Sequence, residues 1–523
     1  MERSEVLRNL GDVSRPWDVL IIGGGATGLG AAVEAASRGL RTVLVERFDF
    51  AKGTSSRSTK LVHGGVRYLE QMNVTLVLDA LRERGYMLRN APHLVRNLGF
   101  VIPTYDFFAL PYYAVGLKVY ELLSGKLSLG PSKALSRQRT MELLPGVKSG
   151  GLRGGVLYQD GQFDDARYAI ALLRTFQELG GTAANYTEAI SLIERGGKTV
   201  GARVRDAESG EDFDLLAKAV INASGVFTEQ ILAMDPGSAS GPLLSVSQGS
   251  HVVLPRSFLP GDTALMIPKT SDGRVLFAIP WHDSVIVGTT DEAVPKSSVE
   301  PTALAKERDF LVEYVARYLG RQPKPTEVLS MWSGLRPLVR KGSGSTSKLS
   351  RDHTILVSET GMLTITGGKW TTYRKMGEDV VNRAIDVHSL PKTISTTAQK
   401  KLHGWIEQPI AGANEWEKVY GSDLPALRTL LASDARWNEL VHPRLPYRLG
   451  EVVWAARFEM ARTVEDILAR RTRALFLDAR AAVEAAPVVA EILAEELKRS
   501  DAWRESDLQS FYQVAQGYVY QES

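Results

Sequence analysis

Four consecutive apolar residues, Val19 to Ile22, run directly into Gly23-Gly24-Gly25-Ala26-Thr27-Gly28. An unbroken run of β-formers predicts a strand buried on both faces, as in a parallel sheet covered by helices. The glycines at 23, 25 and 28 give the pattern G-x-G-x-x-G. Ala26 to Arg38, rich in alanine, predicts a helix that Gly39 ends. A second apolar strand, Thr42 to Val45, then delivers Glu46, 23 residues beyond Gly23. In such a unit the first glycine makes the tight turn, the second admits a pyrophosphate to the backbone, and the third lets helix and strand pack closely. The helix N-terminus offers N–H groups and a positive dipole end to phosphate. Glu46 stands where a carboxylate can accept hydrogen bonds from an adenosine ribose. Strand, turn, helix and acid in this register predict an ADP-containing dinucleotide held by Gly23, Gly25, Ala26, Thr27, Gly28 and Glu46.

The fingerprint does not separate NAD from FAD. The next stretch, Thr54 to Glu70, is dense in Ser, Thr, Lys, His, Arg and Gly and contains His63-Gly64-Gly65. Such groups either line a flavin ring and an anionic substrate or form a solvated surface loop. Composition leaves both open.

TSSRSTKLVHGGVRYLE, from Thr54 to Glu70, resembles the flavin loop of FAD-dependent glycerol-3-phosphate dehydrogenases. Ala32 and Gly39 also fit the longer dinucleotide pattern of that superfamily. The likeness continues in GSHVVLP (Gly249 to Pro255), FAIPW (Phe277 to Trp281), VGTTDE (Val287 to Glu292), SGLRPL (Ser333 to Leu338), RDHT (Arg351 to Thr354) and GGKWTTYRKM (Gly367 to Met376). Any one piece is unspecific; the combination is highly specific.

The resemblance implies FAD as cofactor. Thr54, Ser55, Ser58, Lys60, His63, Gly64, Gly65, Asn222, Gly225, Gly368 and Lys369 would join the fingerprint residues around it. It implies oxidation of sn-glycerol 3-phosphate to dihydroxyacetone phosphate, with electrons leaving to a membrane quinone pool. A phosphate dianion needs fixed cations, and the planar fork of arginine binds its oxygens in pairs. By resemblance the candidates are Arg67, Arg336 and Arg351, with Tyr68 adding a hydroxyl. Lys369 would contact the substrate and the reduced flavin, where a cation stabilises developing negative charge. The base is His251, in the GSH motif, or His63, in the flavin loop. His251, Lys369 and Arg336 are the expected catalytic set. The alternative is the related oxidase, which hands electrons to oxygen. Those oxidases commonly carry an inserted segment that is not evident here. An amino-acid oxidase of the superfamily is disfavoured by the arginine-rich motifs. The resemblance also implies a homodimer and a peripheral membrane enzyme on the inner face of the cell membrane.

The chain has 523 residues, enough for two or three domains. A net charge of +3 is too near neutral to argue for nucleic acid. Absence of cysteine excludes disulfides, iron–sulfur clusters and thiolate catalysis. The eight histidines form no H-x-x-H or H-x-x-x-H pair, so no metal site is expected. The first residues mix charges without an apolar core, which reads as no signal peptide and a cytoplasmic protein.

The expected class is α/β, α+β overall. A discontinuous Rossmann-like FAD-binding domain (17–100, 150–244 and 350–398) is expected beside an antiparallel-sheet substrate region (101–149 and 245–349) and a C-terminal helical domain (400–523). Helices are read over Asn73 to Met87, Asp165 to Leu179, Thr371 to His388, Glu451 to Phe476 and Ala479 to Arg499. Lys341 to Leu349 is read as a loop. Arg470, Arg471 and Arg473 are read as a salt-bridged helix face rather than an active site. FFALPYYAVGL, Phe107 to Leu117, defaults to core packing. Its alternative is a bilayer contact anchored by Phe107, Phe108, Tyr112 and Tyr113, with Lys118 and Lys126 near anionic head groups.

Overall fold

The computed structural model describes residues 3–11, 13–65, 74–238, 241–270, 273–340 and 353–521. Arg67, Tyr68, Arg351 and the loop Lys341 to Leu349 therefore lie outside the described residues.

The apolar run becomes strand Trp17–Ile22, central in an 8-stranded sheet. It lies between Thr42–Val45 and Asp212–Asn222, parallel to both. Parallel pairing continues to Thr182–Ala184 on one side and Leu363–Gly367 on the other. Side chains alternate across this sheet. Val19, Ile21 and Leu44 pack under the helices Ala26–Ser37, Asp165–Glu178 and Tyr373–His388. Leu20, Ile22 and Val43 face an antiparallel meander and the helix Arg3–Leu10, whose Val6 and Leu10 are buried. This is the Rossmann-like layer, and its three chain segments are far apart in sequence.

A second, 10-stranded sheet stands beside it. Its pairings are antiparallel except where Ala264–Ile267 runs parallel to Val95–Thr104. Strands Val95–Thr104 and Gly154–Phe163 pair along their whole lengths; the first runs across the expected division at 100/101, and the second, expected in the FAD-binding segment 150–244, belongs to this second sheet. The chain returns to the first layer at helix Asp165–Glu178, whose N-terminus is capped by Asp164 accepting from the Ala166 and Arg167 N–H groups.

Helix Ala109–Ser124 lies on this second sheet and buries only Leu117, Tyr120 and Ser124. Core packing as the default for Phe107 to Leu117 is corrected here. Phe108 is 78% exposed and Val115 67% exposed, and Phe107, Tyr112, Val119 and Leu122 are also exposed. Residues 108, 112, 115, 119 and 122 recur at steps of three and four, so they form one outward stripe. Lys118 is paired with Glu121 at 2.9 Å, and the side chain of Lys126 lies outside the described residues.

Beyond residue 400 the chain is helical, but Glu451 to Phe476 is not one helix. It breaks into Leu449–Phe458, a π-helical turn Asp466–Arg471, and Ala474–Leu477. Buried charge explains the break. Asp466 accepts from the Arg462 N–H at 2.7 Å and the Thr463 N–H at 3.1 Å. Arg470 and Arg471 turn inward to share Asp49 of the nucleotide layer. Arg473, at φ +68, reaches Asp165 at 3.1 Å. The three arginines are ion-paired as expected, yet they are fully buried and tie two domains together.

Candidate active site

At the turn after Trp17–Ile22, Gly23 has φ +113, and a side chain there would strike the Ala223 carbonyl. A Cβ on Gly28 would overlap the Gly23 carbonyl. The fold itself requires both glycines. Gly25 is different: a Cβ there would meet only Ser55 Oγ, at 3.1 Å. Its bareness serves the open side of the turn. Ser55 Oγ accepts the Ala26 N–H of the first helical turn at 2.9 Å. Glu46 accepts the Gly24 N–H at 2.6 Å and the Phe48 N–H at 2.9 Å. Burial pushes its carboxyl pKa up against the pull of these bonds. Gly23, Gly25, Ala26, Thr27, Glu46 and Ser55 line a cavity of about 220 Å³ together with Ala223, Ser224 and Gly225; Gly28, expected at the cofactor, is not part of its wall and serves the turn.

A second cavity, of about 340 Å³, adjoins the first. Thr54, Pro337, Gly368, Lys369 and Trp370 are walls of both. Gly367 and Gly368 have φ of +80 and +71, and a Cβ on Gly368 would strike the Met376 side chain. Bare backbone therefore meets the junction of the two cavities. The residues fit an FAD: N–H groups and a ribose-facing carboxylate at one end, then a wider polar cavity reached past glycine backbone.

The wider cavity carries Arg336 and His251 on adjacent strands. Arg336 donates to Thr289 Oγ1 at 3.0 Å and the Thr290 carbonyl at 3.1 Å, and Asp291 lies 3.3 Å away. A Cβ on Gly249 would collide with its guanidinium, and a Cβ on Gly288 would collide with the His251 ring. The glycines of the GSH and VGTT motifs thus make room for these two side chains. The His251 ring stacks on Trp332 with centroids 4.0 Å apart. Its Nε2 lies 2.9 Å from Thr59 Oγ1, and its Nδ1 has no partner among the described residues. Burial first, then the charges of Lys60 and Arg336, hold its pKa well below the usual range. The imidazole is therefore neutral, with a lone pair on one ring nitrogen.

His63, Gly65 and Ser58 also line the wider cavity, although Ser58 Oγ is bonded to Asp165 at 2.7 Å. Three expected cofactor contacts are corrected. Lys60 is wholly buried and lines neither cavity; its Nζ is held by Asp165 at 2.7 Å and the Ser56 carbonyl at 2.7 Å. The Gly64 N–H donates to the Tyr120 hydroxyl at 2.7 Å, and Gly64 lines neither cavity. Asn222 lies beneath the wall, donating to the Thr228 carbonyl at 3.1 Å and accepting from the Ser224 hydroxyl at 2.6 Å. In each case the backbone turn is used and the side chain or N–H is spent on the fold. Thr59, Trp370, Thr289, Thr290 and Asp291 line the cavity without having been singled out. All five lie inside motifs that carry the family likeness, which was the available signal.

Residues 18–374 match the model of the FAD dependent oxidoreductase family, and residues 358–504 match the C-terminal domain of alpha-glycerophosphate oxidase. The mitochondrial glycerol-3-phosphate dehydrogenase of Rattus norvegicus is 40% identical, over 94% of this chain and 72% of that protein. A probable mitochondrial glycerol-3-phosphate dehydrogenase of Caenorhabditis elegans is 38% identical, over 97% of this chain and 74% of that protein. The X-ray structure of glycerol-3-phosphate dehydrogenase from Bacillus halodurans complexed with FAD superposes at a TM-score of 0.80, with 27% identity, covering 99% of this chain and 98% of that one. The dithionite-reduced L-alpha-glycerophosphate oxidase of Mycoplasma pneumoniae shares the fold at 18% identity, a TM-score of 0.56, and 74% and 98% coverage.

Proposed function

The chain belongs to the FAD-dependent oxidoreductase family and, within it, to the glycerol-3-phosphate dehydrogenases, and from that premise we propose that it oxidises sn-glycerol 3-phosphate and passes the electrons to a membrane quinone. The observation that carries the reading is the pair of adjoining cavities. A dinucleotide cradle shares Gly368, Lys369 and Trp370 with a polar cavity holding a guanidinium and a neutral imidazole.

FAD, when bound, supplies the hydride acceptor. Arg336 binds the phosphate, its orientation set by Thr289 and Thr290. Arg67, Tyr68 and Arg351 are proposed as further phosphate and substrate contacts. Lys369 stands where a cation offsets negative charge that develops during the reaction. His251 is the proton acceptor of this reading, its neutral ring set between Thr59 Oγ1 and the Trp332 indole. The oxidase alternative is not favoured, because the relatives that match nearly the whole chain are dehydrogenases.

No helix among the described residues is long and apolar enough to cross a membrane. The outward stripe of helix Ala109–Ser124 supports interfacial attachment of a peripheral protein on the inner face of the cell membrane. The homodimer implied by the family resemblance is testable by sedimentation of the flavin-loaded protein.

The deciding experiment is anaerobic addition of sn-glycerol 3-phosphate to the FAD-loaded protein. The oxidised flavin band should bleach, and equal glycerol should leave it in place. An unbleached band sinks the reading. Readmitting a membrane quinone should restore the band faster than air does; the reverse order would favour oxygen as acceptor.

A further inference from the structure

Lys60 is a fully buried lysine that the proposed reaction does not use. It sits at φ +62, next in sequence to Thr59, whose hydroxyl meets His251 Nε2. Its ammonium lies 4.7 Å from the centroid of the Trp332 ring, and the His251 imidazole stacks on that indole at 4.0 Å. A cation and an imidazole therefore share one aromatic spacer. The ammonium is fixed by two acceptors, both of which a second cation shares. Asp165, at the start of a nucleotide-layer helix, holds it with both oxygens, at 2.7 and 2.9 Å. The Ser56 carbonyl of the flavin loop accepts at 2.7 Å. Arg473, from the C-terminal domain, donates to the same Asp165 at 3.1 Å and to the same Ser56 carbonyl at 3.0 Å.

We propose that Lys60 is a positioning residue for the base: anchored on Asp165 and the Ser56 carbonyl, two acceptors that Arg473 also binds, its ammonium stands behind Trp332 and adds to the burial that opposes protonation of His251, so the C-terminal domain contributes to the setting of the base. The proposal rests on His251 being the base. The charged groups facing this assembly are Asp165 and Asp164 from the nucleotide layer, Arg473 from the C-terminal domain and Arg336 from the second sheet. The cations among them oppose protonation of His251, and the two carboxylates lie on the Lys60 side of the indole. Burial and Arg473 press the Lys60 pKa down to about 7 against the pull of Asp165, so the ammonium is charged on the acid side of neutrality, where protonation of His251 is at issue.

The test follows the His251 imidazole directly by NMR of histidine-labelled, FAD-loaded protein, with His251→Asn identifying its signals. Lys60→Met should raise the His251 titration midpoint by about one pH unit, as expected for removal of one charge across an aromatic spacer. The acid limb of anaerobic flavin reduction should move up with it. Lys60→Arg should leave both near the wild-type position. An unmoved midpoint in Lys60→Met overturns the proposal. So does loss of FAD or of the folded state in both variants, because Lys60 would then be holding the fold rather than tuning the base. If instead His251→Asn reduces flavin at the wild-type rate, the assignment of the base fails, whatever the midpoint does.

Discussion

Gly249 and Gly288 show how much of this site depends on side chains that are missing. Each leaves the space that a neighbouring strand fills, with Arg336 in one case and His251 in the other. Gly249→Ala should displace the guanidinium and mimic Arg336→Ala without removing a charge. Hydrogen bonds to charged groups contribute about 1.5–3 kcal/mol each, so both variants should lose roughly one to two orders of magnitude in kcat/KM while keeping FAD. Normal turnover of Arg336→Ala would remove it from the phosphate site. The fingerprint glycines separate by the same criterion. Gly28→Ala, whose Cβ overlaps a backbone carbonyl, should fail to fold. Gly25→Val should fold and come off the column without flavin, as absorbance against protein concentration will show.

At the scale of an element, helix Ala109–Ser124 has two different faces. Inward, Leu117 and Tyr120 join the cluster of Phe100 and Ile102, and the Tyr120 hydroxyl donates to Asp160 at 2.9 Å. Outward, the stripe from Phe108 to Leu122 meets nothing among the described residues of the chain that would bury it. Burying one such side chain is worth about 1.5–3 kcal/mol. Changing Phe107 and Phe108 together to serine should therefore weaken liposome binding by roughly a hundredfold or more, with FAD content and dye-coupled activity intact. Flotation equal to wild type would discard this helix as the anchor. Because Lys118 is already paired with Glu121, added salt should weaken attachment only slightly.

Charge pairs, some of them fully buried, join the parts of the whole molecule, and its stability should depend on pH accordingly. His403 bridges Glu178 of the nucleotide layer at 2.5 Å and Asp423 of the C-terminal region at 2.7 Å. Burial opposes its charge, but these carboxylates prevail and raise its pKa above the ordinary value. A histidine raised in the folded state binds protons that the unfolded chain releases. Its contribution is complete below about pH 6.5 and is lost as pH rises through the folded value. His403→Gln should lower Tm at pH 6, and the gap should narrow by pH 8. Asp507 acts in the same direction for a different reason. Burial pushes its carboxyl up to about 7, against the Val464 N–H. The folded protein then holds a proton that the unfolded chain gives up near pH 4, so stability falls between about pH 4 and 7. Asp507→Asn should raise stability at pH 8 by on the order of 1–3 kcal/mol and change little at pH 4; an equal shift at both would contradict this account.

The sequence by itself determined the nucleotide unit, because strand, glycine turn, helix and acid are local and their spacing is the signal. It also named Arg336, His251 and Lys369, through motifs whose likeness carries position but not direction. Direction was decided by tertiary structure. Lys60 sits in the flavin loop yet points to Asp165, 105 positions away in sequence. Arg470, Arg471 and Arg473 read as ordinary helix charges until Asp49 and Asp165 appear beneath them. Periodicity shows that Phe107 to Leu122 has faces, but only the packed sheet decides which one is covered. The long helix expected from Glu451 to Phe476 fails for the same reason: local propensity favours continuing, and buried ion pairs with distant carboxylates require the turn.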